Sequence, residues 1–379
     1  MTLKQNELVK DFTFQDLLKA YYDCKKHKRM TSSALKFELK LEYNLLRLYK
    51  ELKTGKYKIG RCICFVVTSP KPREVWAANF RDRIVHHLVY NAIKDRFYKR
   101  FIRDTYSCIP KRGTLAAAKQ MLKYSRSATN NYKKRAYYLK ADLSNFFVSI
   151  DKEILYNLLE KYIEEDWILK LLKKIIWHNP KNNVFIKSGR KKFKMLPKHK
   201  SLWNTTDTKG LPIGNLTSQF FSNVYLDVLD KFVKNELKCK YYCRYVDDFV
   251  ILHTSPKILL KFLNEIDDNI NNNLKLKLNR KKCSVNLIVK GIDFVGYIIK
   301  PSRMFLRQKL IKKIFLIIKL WKKNLNKYMY IYLSDFRKTI NSYFGMMIHM
   351  NMFNIRFQIG YLTRCLFITF DEMYTKAII

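Results

Sequence analysis

Acidic side chains are scarce in this 379-residue chain: 31 Asp and Glu face 75 Lys and Arg, a net charge of +44. A chain so basic repels itself until a polyanion neutralises it, which makes nucleic acid the natural partner. An AT-rich coding sequence would inflate Lys, but it would not explain the shortage of acids. Long apolar stretches are missing too. No uncharged apolar run approaches the roughly 18 residues of a membrane span, so no membrane insertion is expected. Met1 to Phe14 mixes Lys, Gln, Asn, Glu and Asp with isolated apolar residues and so lacks the core of a secretory signal. The eight Cys include no Cys-x-x-Cys pairs, only Cys62 beside Cys64 and Cys239 four residues before Cys243. Structural zinc is disfavoured by that spacing, and reduced thiols in a cytoplasmic protein are expected. No internal repeat or low-complexity linker divides the chain.

What is present suits a folded protein of two or three subdomains around a shared cleft, with 48% hydrophobic residues. Apolar residues at helical spacing (Leu17, Leu18, Tyr21, then Leu35, Phe37, Leu41, Leu45, Leu48) predict two helices between Asp16 and about Leu52. Arg61 to Thr68 and Glu74 to Ala78 read as strands joined by a Ser69-Pro70-Lys71-Pro72 turn, and Phe80 to Arg100 as an amphipathic helix. His86 and His87 are adjacent on that helix and point in different directions, which favours packing or hydrogen bonding over metal ligation. A short strand, Tyr137 to Ala141, delivers Asp142 at its exit, and Lys152 to Ile176 follows as a helix. Asn179 to Gly210 carries nine Lys or Arg against the single Asp207 and reads as a basic loop or irregular hairpin, either solvated or against nucleic acid. After a helical Leu216 to Leu237, two strands (Tyr241 to Arg244, Phe249 to His253) meet at Tyr245-Val246-Asp247-Asp248, putting adjacent acids at a hairpin tip. A helix at Lys257 to Leu274 and short strands near Val285 and from Phe294 to Ile299 lead to Pro301, read as a boundary. Beyond it the chain is mostly helical, with fourteen Lys or Arg and three acids (Asp335, Asp371, Glu372).

Adjacent acids repel each other unless a cation lies between them. Phosphoryl transfer by a polymerase uses two divalent cations about 3.5 to 4 Å apart and needs two or three converging carboxylates. A strand-end Asp142 and a hairpin-tip Asp247-Asp248 supply them if their strands are neighbours, and hard oxygen ligands select Mg²⁺, or Mn²⁺ as a substitute, over zinc.

Tyr245-Val246-Asp247-Asp248, between Arg244 and the apolar Phe249-Val250-Ile251-Leu252, resembles the palm signature of reverse transcriptases. Leu139-Lys-Ala-Asp-Leu-Ser-Asn-Phe-Phe-Val-Ser-Ile-Asp151 resembles the first metal-binding motif of that family. The resemblance implies catalytic Asp142, Asp247 and Asp248, with Leu143 joining them at two Mg²⁺ ions. It places Phe147 at a steric gate against the ribose 2′-hydroxyl, with Phe146 the next candidate. Lys71 and Arg73 match residues that hold the incoming triphosphate, a role suited to a guanidinium. Arg81 to His87 resembles the helix start that supports template and fingers in bacterial members. Lys282 matches a lysine near the pyrophosphate, with Lys281 its competitor, and Phe294-Val295-Gly296-Tyr297 resembles the primer grip. The motifs run in family order over about residues 60 to 300.

Gly210-Leu-Pro-Ile-Gly-Asn-Leu-Thr-Ser-Gln219 narrows the resemblance, because most family members carry Gln where Ile213 stands, before Gly214. Ile-Gly-Asn-Leu-Thr-Ser-Gln is similar to the enzymes of diversity-generating retroelements, bacterial or phage-encoded. That implies a template-repeat RNA copied with errors at adenines for mutagenic retrohoming, dNTPs, a cDNA/RNA hybrid and a small basic oligomeric accessory variability protein. The expected fold is α+β, a right-hand polymerase: an N-terminal helical region (1–60), fingers and palm with an antiparallel palm sheet (61–300), and a basic helical thumb (301–379). The rivals are another bacterial reverse transcriptase, from a retron, a group II intron or a defence system, and a catalytically silent RNA-binding scaffold.

Overall fold

The computed structural model describes residues 11–26, 31–69, 71–328 and 333–363, with the side chains of 324–328, 333 and 334 left aside. The start of the N-terminal segment, and Asp371 and Glu372, lie outside them. Ten strands are described: β1 (Cys62–Val67), β2 (Arg73–Ala77), β3 (Tyr137–Asp142), β4 (Val184–Ile186), β5 (Tyr241–Tyr245), β6 (Asp248–His253), β7 (Ser284–Leu287), β8 (Ile292–Phe294), β9 (Tyr297–Lys300) and β10 (Arg303–Leu306). Apart from the pair β1–β4 every pairing between them is antiparallel, so the α+β character read from the sequence is observed. No helix among the described residues is long and apolar enough to cross a membrane.

Two compact units alternate along the chain. One comprises residues 1–103, 143–237 and 265–279 and holds the sheet β2-β1-β4. Three helices open it (Phe14–Lys25, Ser32–Glu38, Leu41–Lys53) where periodicity suggested two, and Thr13 and Asp16 close a reciprocal cap on the first. Glu74 on β2 is buried and organises the basic segment that follows β4. It accepts from the Trp76 indole, from Ser201 Oγ at 2.5 Å and from Leu202 N at 3.0 Å. The expected helix from Lys152 to Ile176 is two, Lys152–Glu160 and Asp166–Trp177. Contacts far along the chain set the break: Arg100 lies 3.6 Å from the Tyr162 ring centre, and Arg96 pairs with Glu165.

Helix Phe80–Arg100 runs through this unit and carries both histidines. His86 is buried with Nδ1 2.7 Å from Thr217 Oγ1. Burial pushes His86 down to about 3 and His87 down to about 4. Both rings are therefore neutral in the fold, while the unfolded chain takes up protons near the ordinary value of 6.5. The unfolded state binds more protons below that value, so stability is full above it and is lost as pH falls from 6.5 towards 4. The unfolding midpoint is expected to drop by a few degrees per pH unit over that window; a flat profile between pH 7 and 5 would contradict the neutral pair, His86 buried and His87 half-buried.

The second unit comprises residues 104–142, 238–264 and 280–379 and holds two sheets, β5-β6-β3-β7 and β10-β9-β8. Its core joins Tyr138, Val250 and Leu252 of the first sheet to Phe294, Tyr297 and Ile299 of the second and to Ile314 and Ile340 of the C-terminal helices. Pro301, expected at a boundary, sits with Ser302 in the turn between β9 and β10, where Lys300 faces Arg303. A turn signal in sequence does not distinguish a hairpin from a domain edge. The helices Gln308–Tyr328, Leu333–Met347 and Phe353–Thr363 follow.

Candidate active site

The antiparallel register of β3 and β6 sets Asp142 directly opposite Asp248, and Asp248 also faces Tyr245 across the β5–β6 hairpin. Two residues, Val246 and Asp247, connect that hairpin, and Val246 takes φ +56°. A β-branched residue rarely adopts this conformation, so the turn must be held from outside. Arg244, wholly buried, does so: it donates Nη1 to Val246 O at 2.9 Å, while its own backbone bonds Asp104 O and Tyr106 N, each at 3.0 Å.

Each of the two facing carboxylates has a lysine beside it. Lys282 forms an ion pair with Asp142, whereas its exposed neighbour Lys281 has no ion pair among the described residues. Lys140, two residues before Asp142 on β3, lies 3.7 Å from Asp248 Oδ2 and donates to Asp293 O at 2.6 Å; Asp293 in turn pairs with Arg307. Burial pushes the Asp248 carboxyl up to about 7; Asp142 and Asp247 add to the rise, and Lys140 and Arg307 oppose it. Asp248 Oδ1 is buried and has no hydrogen-bond partner among the described residues. An orphaned carboxylate oxygen beside two further Asp suits a hard divalent cation. No three His, Cys, Asp or Glu side chains among the described residues are gathered tightly enough to hold an ion as they stand.

Phe294-Val295-Gly296-Tyr297 is the β8–β9 hairpin. Val295 (φ +45°) and Gly296 (φ +96°) form its two-residue turn, while Phe294 and Tyr297 are core residues. Its rings anchor it in the core, and its two turn residues are half-buried. Sequence reasoning did not single out Lys140, Asp293 or Arg307, which link this hairpin to Asp248. Lys140 read as an ordinary strand position because its importance depends on which strands become neighbours.

The remaining sequence-derived residues belong to the other unit. Lys71 and Arg73 are exposed on the β1–β2 hairpin and make no ion pair among the described residues. Ile213, half-buried, accepts through its carbonyl from Trp76 N at 2.7 Å, and Asn215 Oδ1 accepts from Ala78 N at 3.1 Å. The Ile-Gly-Asn segment is thereby stitched to the strand that begins with Arg73. Gly214 has φ +123°, and a Cβ there would meet Val75 Cγ1 at 2.8 Å and Trp76 O at 3.1 Å. Gly214→Ala should cost about 2–4 kcal/mol from clash and backbone strain, read as a lower midpoint in urea unfolding. Phe147 is half-buried at the start of the one-turn helix Phe146–Ser149, with its carbonyl accepting from Leu211 N at 2.8 Å. Phe146 is 2% exposed and belongs to the core, and the Leu143 side chain is likewise buried, leaving only its carbonyl for a ligand.

A family model described as "Reverse transcriptase (RNA-dependent DNA polymerase)" matches residues 68–299. The "Putative COX1/OXI3 intron 2 protein" of Saccharomyces cerevisiae is 22% identical over 322 residues, covering 68% of this chain and 34% of that protein. An "Uncharacterized 91 kDa protein in cob intron" of Schizosaccharomyces pombe is 23% identical over 191 residues, covering 50% of this chain and 21% of that one. This chain therefore spans about a third and about a fifth of their lengths. Among solved structures, telomerase from Candida albicans with a TWJ fragment of telomeric RNA aligns with a TM-score of 0.45 at 11% identity, covering 84% of this chain and 61% of that one.

Proposed function

Because the chain belongs to the reverse transcriptase (RNA-dependent DNA polymerase) family, we propose that it extends a DNA primer on an RNA template, using Asp142, Asp247 and Asp248. The observation that carries this reading is the register of β3 and β6, which puts Asp142 and Asp248 side by side next to the Asp247 turn. Asp142, Asp248, Asp247 and the Leu143 carbonyl would hold the ions. Bound divalent ions would lower the pKa of the attacking 3′-hydroxyl and stabilise the leaving pyrophosphate. Lys140 and Arg244 position the carboxylates from behind. Lys282, paired with Asp142 in the absence of metal, would yield that carboxylate to a bound divalent ion, and its ammonium would then offset the negative charge that builds on the leaving phosphates. The Val295-Gly296 tip supports the primer strand. Lys71 and Arg73 hold the triphosphate, and Phe147 bars a 2′-hydroxyl. Residues 61–300 serve as fingers and palm and 301–379 as a thumb, after the helical region 1–60.

Within the family, we assign the chain to the diversity-generating type, with a template-repeat RNA, an accessory variability protein, adenine-directed errors and a cytoplasmic location. The support is Ile213: a Gln can hydrogen-bond near the incoming nucleotide, and a polar site rejects misfits by leaving groups unpaired, whereas Ile offers only apolar contact. Ile213→Gln is expected to lower errors at template adenines more than at other bases, and Arg73→Ala to alter the same spectrum. Sequencing cDNA copied from one defined RNA decides it, since an unchanged spectrum with activity retained removes this role. The intron proteins among the relatives favour a second reading, an intron-type reverse transcriptase. That reading gains if both spectra stay flat across the four bases.

A further inference from the structure

β1 has two faces with different company. Cys62 and Cys64 point into a small core with Trp76 and Leu202, while Ile63 and Phe65 line a cavity of about 1440 Å³. The cavity lies wholly within the unit of residues 1–103, 143–237 and 265–279. Helices Ser32–Glu38 and Leu41–Lys53, the start of helix Phe80–Arg100 and residues 187–192 complete its walls. Eight Lys or Arg line it against a single acid, Glu51, and Glu51 is already engaged by Arg47 and Arg81. Lys36, Lys56, Lys58, Lys187 and Lys192 make no ion pair among the described residues. Residues 187 and 188 are tied to β1, because Lys187 N donates to Cys64 O at 2.9 Å and Val66 N donates to Ser188 Oγ at 3.0 Å. These five exposed lysines around one concave wall give it a positive potential that an anion would lower.

We infer that this cavity is a binding site for single-stranded RNA, separate from the triphosphate-holding residues Lys71 and Arg73, neither of which lines it. Its volume exceeds the roughly 300–1000 Å³ of ordinary small-ligand pockets, which suits several linked nucleotides better than one. Lysines contributed by three separate segments of the wall (Lys36; Lys56 and Lys58; Lys187 and Lys192) match a backbone with a charge at every step. Half-buried Phe65 offers a ring face on which a base stacks, as in other grooves that hold single strands. An acidic peptide would neutralise the lysines but brings no base for that ring. Choosing RNA among polyanions rests on the RNA-templated reading above.

The test compares the quadruple variant Lys36→Gln, Lys56→Gln, Lys187→Gln, Lys192→Gln with a control, Lys50→Gln, Lys99→Gln, Lys173→Gln, Lys209→Gln. The control positions are exposed lysines of the same unit outside the cavity. Fluorescence anisotropy with a short, unstructured, labelled RNA is read at several salt concentrations. The cavity variant should lose at least about tenfold in affinity near 0.1 M salt, and its log–log salt slope should shrink by about 2 to 3, at about 0.7 per phosphate contact for a single strand. The control should move far less. Equal losses in the two variants, or none in the cavity variant, overturn the site. So does displacement of the RNA by free ATP at equal phosphate concentration, which would make it a mononucleotide pocket. Binding is read without polymerisation, so failure of the unaltered protein to copy RNA would remove the enzymatic reading and leave this result standing.

Discussion

Alanine at Asp142, Asp247 or Asp248 is expected to reduce RNA-templated primer extension by about three orders of magnitude or more, with RNA binding retained. Charge stabilisation by a bound divalent ion is worth several kcal/mol, and about 1.36 kcal/mol is tenfold in rate. The three act as one constellation, so a double variant should lose little beyond a single one. Near-normal extension by any of them would refute the site. Stability separates this outcome from misfolding. Burial raises the Asp248 carboxyl to about 7, above its ordinary value of 3.8, so in the metal-free protein the fold holds that proton more tightly than the unfolded chain does. Stability is then lost as pH rises towards 7, and above it the ionised carboxylate remains a cost. Asp248→Asn should therefore be inactive yet unfold at a higher temperature than the parent at pH 8 without metal, with the gain fading towards pH 5. An inactive variant destabilised at both pH values would point to damage instead.

How much of this was legible beforehand depended on whether the deciding contacts are local. The hairpins β1–β2 and β5–β6 were readable, because strand composition and turn residues lie within a few positions of each other. The pairing of β3 with β6 was not local: Asp248 follows Asp142 by 106 residues, and only motif order suggested that they meet. Arg244 illustrates what pattern alone hides. It read as a basic flank of the acidic turn, yet it is wholly buried and bonded to Val246, a role that depends on the 104–106 segment packing beside β5. The break at Lys161 to Glu165 was invisible for a similar reason. No Gly or Pro marks it, and the Arg96 and Arg100 contacts that fix it come from a helix some sixty residues earlier. The basic cavity escaped because its cations are spread from Lys36 to Lys192 and look like ordinary surface charge until the fold collects them.

Phe147→Ala should admit ribonucleotides. Two adjacent aromatics follow Asp142 closely enough to be gates, and the structure separates them by burial. Phe146 packs in the core at 2% exposure, so its truncation would open a cavity of the kind that costs about 3–5 kcal/mol and would be read first as lost stability. Phe147 is half-buried, its ring 5.2 Å from that of Phe146, and its backbone is fixed by Leu211 N from the Gly210–Gln219 motif. A half-buried ring on a fixed backbone can exclude a neighbouring group by volume with little penalty when it is shortened. The expected signature is therefore a change in selectivity and not in fold. The preference for dGTP over GTP in single-nucleotide incorporation, measured as a ratio of kcat/KM, should fall by about a hundredfold or more, equivalent to about 2.7 kcal/mol of lost discrimination. Most of it should come from faster GTP use, with dGTP incorporation and the unfolding midpoint nearly unchanged. If the ratio stays put, Phe147 is not the barrier; if the ratio falls only because dGTP incorporation collapses, the ring positions the nucleotide and the 2′-hydroxyl is read elsewhere.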